Sequence, residues 1–164
     1  MESSGFMNAD YASSEKVEQR MLQVNDDIAH LVELAKDPKK YGELIGILDP
    51  TIDKVDQHVM ALQNKLTKEL DRRTKEFTNA IKALDDPLMM AKSSPPSFLS
   101  DADKAKWHKF VEAGVGAQQL VGFKKTLIND FKDGMSKHLQ IGKLTEQNIT
   151  IRRILDKIRQ TLMI

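Results

Sequence analysis

Cysteine is absent from this sequence, and that absence excludes a disulfide framework, a thiolate zinc site and a cysteine nucleophile together. A chain of 164 residues can bury a core without such staples. Aromatic residues are scarce at 5%, which is unlike the composition of a β-sandwich and typical of helical or coiled-coil chains. No apolar run approaches the ~20 residues a membrane span needs. Residues 1–12 contain Glu2 and Asp10 where a secretory signal would have a basic start and an apolar stretch. Neither a span nor a signal peptide is expected, and the expected location is the cytoplasm or the interior of a macromolecular assembly. A polar, unpatterned export leader is compatible with the same residues.

What the chain does contain is charge, 30% of its residues, and aliphatic side chains drawn mostly from Leu, Ile, Val, Ala and Met. The formal net charge of +1 conceals a gradient. Residues 1–50 carry 5 basic and 10 acidic groups, 51–120 carry 11 and 10, and 121–164 carry 9 and 4. An acidic beginning and a basic end either attract one another, within or between subunits, or leave the basic end for an anionic partner. The plainer alternative is a solvated surface on which the gradient means nothing.

Asp-Pro pairs at Asp37-Pro38, Asp49-Pro50 and Asp86-Pro87 read as both helix starts and helix stops. Asp can cap, Pro suits the first helical turn, and the residue before Pro is steered out of the α region. The first helix is expected over about 14–36, where Val17, Met21, Val24, Ile28, Leu31 and Ala35 recur in alternating steps of four and three. Leu22, Val32 and Leu34 widen that face toward burial in a bundle. A short helix over 38–48 should present Tyr41, Leu44, Ile45 and Leu48 on one side. A long helix over about 50–84 follows. In it Ile52, Val55, Val59, Leu62 and Leu66 keep a heptad, and Leu70, Thr74, Phe77, Ile81 and Leu84 continue it with a phase shift around Leu66 to Thr74. The charged run Lys68, Glu69, Asp71, Arg72, Arg73, Lys75 and Glu76 at that shift reads as a solvated face with mixed-sign pairs.

Residues 86–100, with three Pro and four Ser, form the expected linker, its two ends docking through Leu88, Met89, Met90, Phe98 and Leu99. Ser100 followed by Asp103 predicts a helix start, and Gly114 and Gly116 predict a bend that allows close backbone approach. Leu120, Phe123, Leu127, Ile128, Phe131 and Met135 form a helical stripe, with Gly134 loosening it and Gly142 stopping it. A last helix is expected from about Lys143, with Leu144, Asn148, Ile151, Leu155, Ile158 and Leu162 in heptad spacing. Asn148 is either a polar seam residue that sets register or, more simply, the cap of a helix starting near Ile149.

Chemistry-bearing patterns are weak. Gly114, Gly116 and Gly122 before Lys124, Lys125 and Thr126 miss the phosphate-loop spacing, place Phe123 where Lys is needed and follow no strand. His30, His58, His108 and His138 are scattered and make no paired metal motif. Acidic side chains at helical spacing are too numerous for any one acid–base pair to stand out. Trp107 with Lys104, Lys106, His108 and Lys109 resembles a base-stacking patch, although Trp107, Phe110 and Val111 share a face and read better as core.

The resulting expectation is an all-α protein, an elongated helical bundle or helical hairpin with coiled-coil-like segments. Residues 1–13 form a polar segment that is flexible unless bound, 14–85 an N-terminal helical region, 86–100 the linker and 101–164 a C-terminal helical region, together one cooperative domain. The expected function is non-enzymatic assembly, with itself or another helical protein, as in a structural subunit of a secretion apparatus or virion. No cofactor or metal is expected. Val59, Leu62, Leu66, Leu70, Ile151, Leu155, Ile158 and Leu162 are the expected partner interface. The rival is a nucleic-acid-handling ring subunit contacting phosphates through Arg152, Arg153, Lys157 and Arg159.

Overall fold

The computed structural model describes residues 17–114 and 116–163; the expected flexible segment 1–13 and the first helix's start near Ser14 lie outside the described residues. The described residues form seven α-helices: α1 (Val17–Arg20), α2 (Leu22–Ala35), α3 (Tyr41–Ala80), α4 (Pro87–Lys92), α5 (Asp101–Ala113), α6 (Ala117–His138) and α7 (Ile141–Leu162), with 3-10 turns at Pro38–Lys40 and Lys82–Asp85. No strand occurs among the described residues. These residues form two compact units, one of residues 17–67 and 139–163, the other of residues 68–138.

The first unit is built from α1, α2, the beginning of α3, and α7. Val17, Met21, Val24, Ile28 and Leu31 are buried, as the heptad rhythm predicts, and Ala35 at its end is half-buried; of the residues expected to widen that face Leu34 is buried, whereas Leu22 stays 60% exposed. A turn at Met21 separates α1 from α2, and its N–H is shared between the carbonyls of Val17 and Glu18. Asp37 stops α2 as expected: its carboxylate accepts the Lys39 N–H at 3.0 Å and Pro38 opens a 3-10 turn.

Asp49-Pro50 does not stop a helix. α3 runs through it from Tyr41 to Ala80, beginning nine residues before Pro50 and ending short of Leu84. An interior proline removes one backbone hydrogen bond, here the one that would reach the Gly46 carbonyl, and costs about 3 kcal/mol. Leu44, Leu48, Ile52 and Val55 are all buried across that point, and each contributes about 1.5–3 kcal/mol. Keeping all four on one continuous face outweighs the lost bond. Ile45, expected beside them, is 63% exposed because it sits one residue off this stripe.

In the second unit the anticipated linker is partly helical. Asp86 caps α4 by accepting the Leu88 N–H at 3.0 Å, and Pro87 fills the first helical position. Met90 and Leu99 are buried near the two ends of the segment, whereas Leu88 and Met89 face outward. Ser100 accepts the Asp103 N–H at 3.1 Å and starts α5 as its spacing predicts. Gly114, left-handed at φ 63°, ends α5. The expected bend is present, but the close approach is not, since a Cβ added at Gly114, Gly116 or Gly122 would meet nothing within 4 Å. Leu120, Phe123, Leu127, Phe131 and Met135 of α6 are buried. α6 passes through Gly134, and α7 contains Gly142; the break falls at Leu139 and Gln140. Asn148 therefore lies inside α7 and caps nothing.

The charged run on α3 is not wholly a solvated face. Arg73, between the half-buried Leu70 and Phe77, is the one buried charged side chain among the described residues, at 4% exposure. Its Nε donates to Glu69 at 3.0 Å and its Nη1 lies 3.6 Å from Glu76. Arg72, on the solvent side, reaches the same two carboxylates at 2.5 and 2.7 Å. Burial alone would raise the Glu69 pKa, but hydrogen bonds and attraction from Arg72 and Arg73 outweigh it, and the carboxyl titrates below its ordinary value. A depressed carboxyl stabilises the fold above its unfolded pKa, and that contribution is lost as pH falls through the folded one. Thermal midpoints of the native chain should therefore drop more steeply than those of Glu69→Gln as pH falls from about 4.5. Parallel curves would refute the network's role.

Candidate functional site

The structure turns the expected interface residues inward. Val59, Leu62, Leu66, Ile151, Leu155 and Ile158 are buried in the chain, and Leu70 and Leu162 are half-buried. The seams are thus already in use as core, and the surfaces still open are the rows beside them.

Two of the four expected phosphate contacts have acids of α3 as partners. Arg152 pairs with Asp56, and Arg159 lies 3.6 Å from Asp49. Arg153 and Lys157 remain exposed without an acid partner among the described residues, and both line a shallow depression of about 370 Å³ on α7. The gradient from an acidic beginning to a basic end is therefore partly satisfied within the first unit, where Lys143 also pairs with Glu18.

Trp107 is 1% exposed, a core residue and no stacking platform. Lys106 covers the rings of Phe110 and Phe123 at 5.6 and 5.2 Å, a cation–π arrangement that helps hold α5 on α6. Gly122 lies within α6, so the glycines before Lys124 form no phosphate-cradling loop. Among the described residues no three His, Cys, Asp or Glu side chains are grouped to hold a metal. No described helix is long and apolar enough to cross a membrane.

Two open clefts emerge in the first unit, each near 560–570 Å³. One runs between α2 and α7, floored by Ile28, Ala29, Val32, Ile151 and Ile154, with Glu33, Lys143 and Glu146 along its edges. α2 and α7 are parallel: the Val17 N–H donates to the Gln140 side chain at 2.8 Å near their starts, and the groove continues to Glu33 and Ile154 near the far end. Gln147, in this lining, has a buried Oε1 without a hydrogen-bond partner, as does Oδ1 of neighbouring Asn148. The other cleft lies between α1–α2 and α3, with Arg20, Leu22, Asp26, His58, Ala61 and Lys65 in its walls.

Sequence reasoning missed both. Val32 had signalled a face wider than a two-helix seam, but Ile154 and Ile149 carry no such signal until the pairing of α2 with α7 is known. Arg20 lies far in the chain from His58 and Lys65, and only the packing of α1 and α2 on α3 brings it to their cleft. No protein-family model, no curated protein and no solved structure matches this chain.

Proposed function

We propose that the chain is a non-enzymatic helical assembly protein that packs against a second copy of itself along α7 and the α2–α7 groove, as a structural subunit of a larger assembly. The observation carrying this reading is the row of incompletely covered apolar side chains there. Val32 and Ile154 are half-buried in the groove, and Ile149, one turn before Arg153, is 47% exposed. Helix–helix contacts that bury such rows gain ~25 cal/mol per Å² of apolar surface.

Charge argues for a second copy over an unrelated helix. Two α7 helices crossing antiparallel near Thr150 place Glu146 of each opposite Ile154 of the other, within a turn of Arg153 and Lys157. A two-fold pairing repeats that attraction on both sides, as an isologous interface requires. The rival nucleic-acid reading is left with Arg153 and Lys157 as cations without acid partners, so the log–log salt slope of DNA binding would be only about −2.

Light scattering and sedimentation across dilution test the proposal. The mass should rise with concentration, and Glu146→Lys should weaken association at least about tenfold, equivalent to ~1.4 kcal/mol. Adding Arg153→Glu and Lys157→Glu to that variant should restore it. A monomer at every concentration would sink the self-assembly reading.

A further inference from the structure

The cleft between α1–α2 and α3 is lined by the cations Arg20 and Lys65 and by His58, and none of the three has an acid partner among the described residues. Arg20 is half-buried, and its Nε is buried without any hydrogen-bond acceptor. A guanidinium keeps its charge at any physiological pH, so Arg20 remains a cation in the cleft wall without an acid partner, and an anion held in the cleft would offset that charge. Nearby acids do not fill the role. Asp27 is engaged by Gln23 at 3.0 Å and by Lys54 at 3.5 Å, and Asp26, the one acid in the lining, makes no ion pair among the described residues.

The lining also selects among oxyanions. Arg20 and Lys65 against Asp26 leave one uncompensated positive charge, which a monoanion neutralises and a dianionic phosphate overshoots. The remaining wall is mixed: Gln19, Gln23 and His58 are polar, and Leu22, 60% exposed, forms an apolar strip with Ala61 and Leu62. A guanidinium fork matches the two oxygens of a carboxylate, and the exposed leucine gives an attached hydrocarbon somewhere to leave water. At about 570 Å³ the cleft has the size of a small-molecule site.

We propose that this cleft binds a monocarboxylate on an apolar stem, with the carboxylate on Arg20 and Lys65 and the stem along Leu22 and Ala61. Two sources share that chemistry, a free short-chain fatty carboxylate and a peptide C-terminus ending in an apolar residue. The site uses none of the α7 residues assigned to self-association, so either proposal can fail alone.

The test is a titration of the full-length protein, followed by the Arg20 Nε–H resonance in nitrogen-15 correlated spectra. The probes are hexanoate, N-acetylleucine, acetate and inorganic phosphate. Hexanoate or N-acetylleucine should shift that resonance saturably in the millimolar range, roughly tenfold tighter than acetate or phosphate. Preference for hexanoate assigns the free carboxylate, and preference for N-acetylleucine assigns the peptide terminus. Arg20→Gln should abolish binding, read in this variant from the backbone amides of Leu22 and Ala61, since the side-chain signal goes with the arginine. Lys65→Gln, on the exposed side of α3, should weaken it at least about threefold while leaving the rest of the spectrum unchanged, which separates lost binding from lost folding. The proposal is overturned if neither stemmed carboxylate moves the Arg20 signal, if phosphate binds as tightly as hexanoate, or if Lys65→Gln binds as the native protein does.

Discussion

Trp107→Ala is expected to lower unfolding free energy by about 3–5 kcal/mol, a large part of the ~5–15 kcal/mol that holds a domain of this size together. The indole is the largest of the fully buried side chains, and its loss leaves a cavity that helices α5 and α6 cannot close without moving. Its Nε1, however, is buried without a hydrogen-bond acceptor among the described residues. An unmet donor costs about 1–3 kcal/mol, so Trp107→Phe, which removes the N–H and keeps most of the ring, should cost less than about 1.5 kcal/mol. Urea unfolding followed by far-ultraviolet circular dichroism measures both, since the variants remove the only tryptophan. Equal destabilisation by Ala and Phe would show that the indole N–H is satisfied after all.

Phe77→Ala should be comparably damaging. Phe77 is 5% exposed; its ring stacks on Phe131 at 4.3 Å with 16° between the planes, and it meets Phe98 edge-on at 5.4 Å. Truncation loses about 3–5 kcal/mol of packing, and each aromatic pair adds about 0.5–1.5 kcal/mol of its own. A double-mutant cycle of Phe77→Leu with Phe131→Leu isolates the stacking, because leucine keeps the apolar volume and removes the ring. Strictly additive effects in that cycle would mean the rings contribute only as hydrocarbon.

The parts of the fold that were legible are those written in short-range periodicity. Val24, Ile28 and Leu31, Val55, Val59 and Leu62, and Phe123, Leu127 and Phe131 follow helical spacing, and all are buried. Ser100 and Asp37 were readable as caps because a capping bond spans only two or three residues. Local rules failed where distant groups decide the outcome. Pro50 should end a helix, yet the apolar stripe on both sides of it carries α3 through. Proline and serine between 86 and 100 signalled a linker, although Asp86 and Pro87 were already a helix start followed by the buried Met90. Arg73 looked like one more surface charge among seven; its inward turn follows from the phase shift on α3, which puts position 73 where the stripe continues. The candidate sites were the least legible part. Whether Arg152 faces a phosphate or Asp56, and whether Arg20 and Lys65 share a cleft, depends on which helices become neighbours.

Gln140 holds the left-handed conformation, φ 60°, that glycine adopts without strain. Its side-chain oxygen receives the Val17 N–H from 123 positions away. Backbone comfort and side-chain reach thus pull in opposite directions at this joint, and reach has prevailed. In any lineage descended from this chain, the position should drift toward glutamate, whose carboxylate can accept the same bond, and resist drifting toward glycine even though glycine would relax the turn.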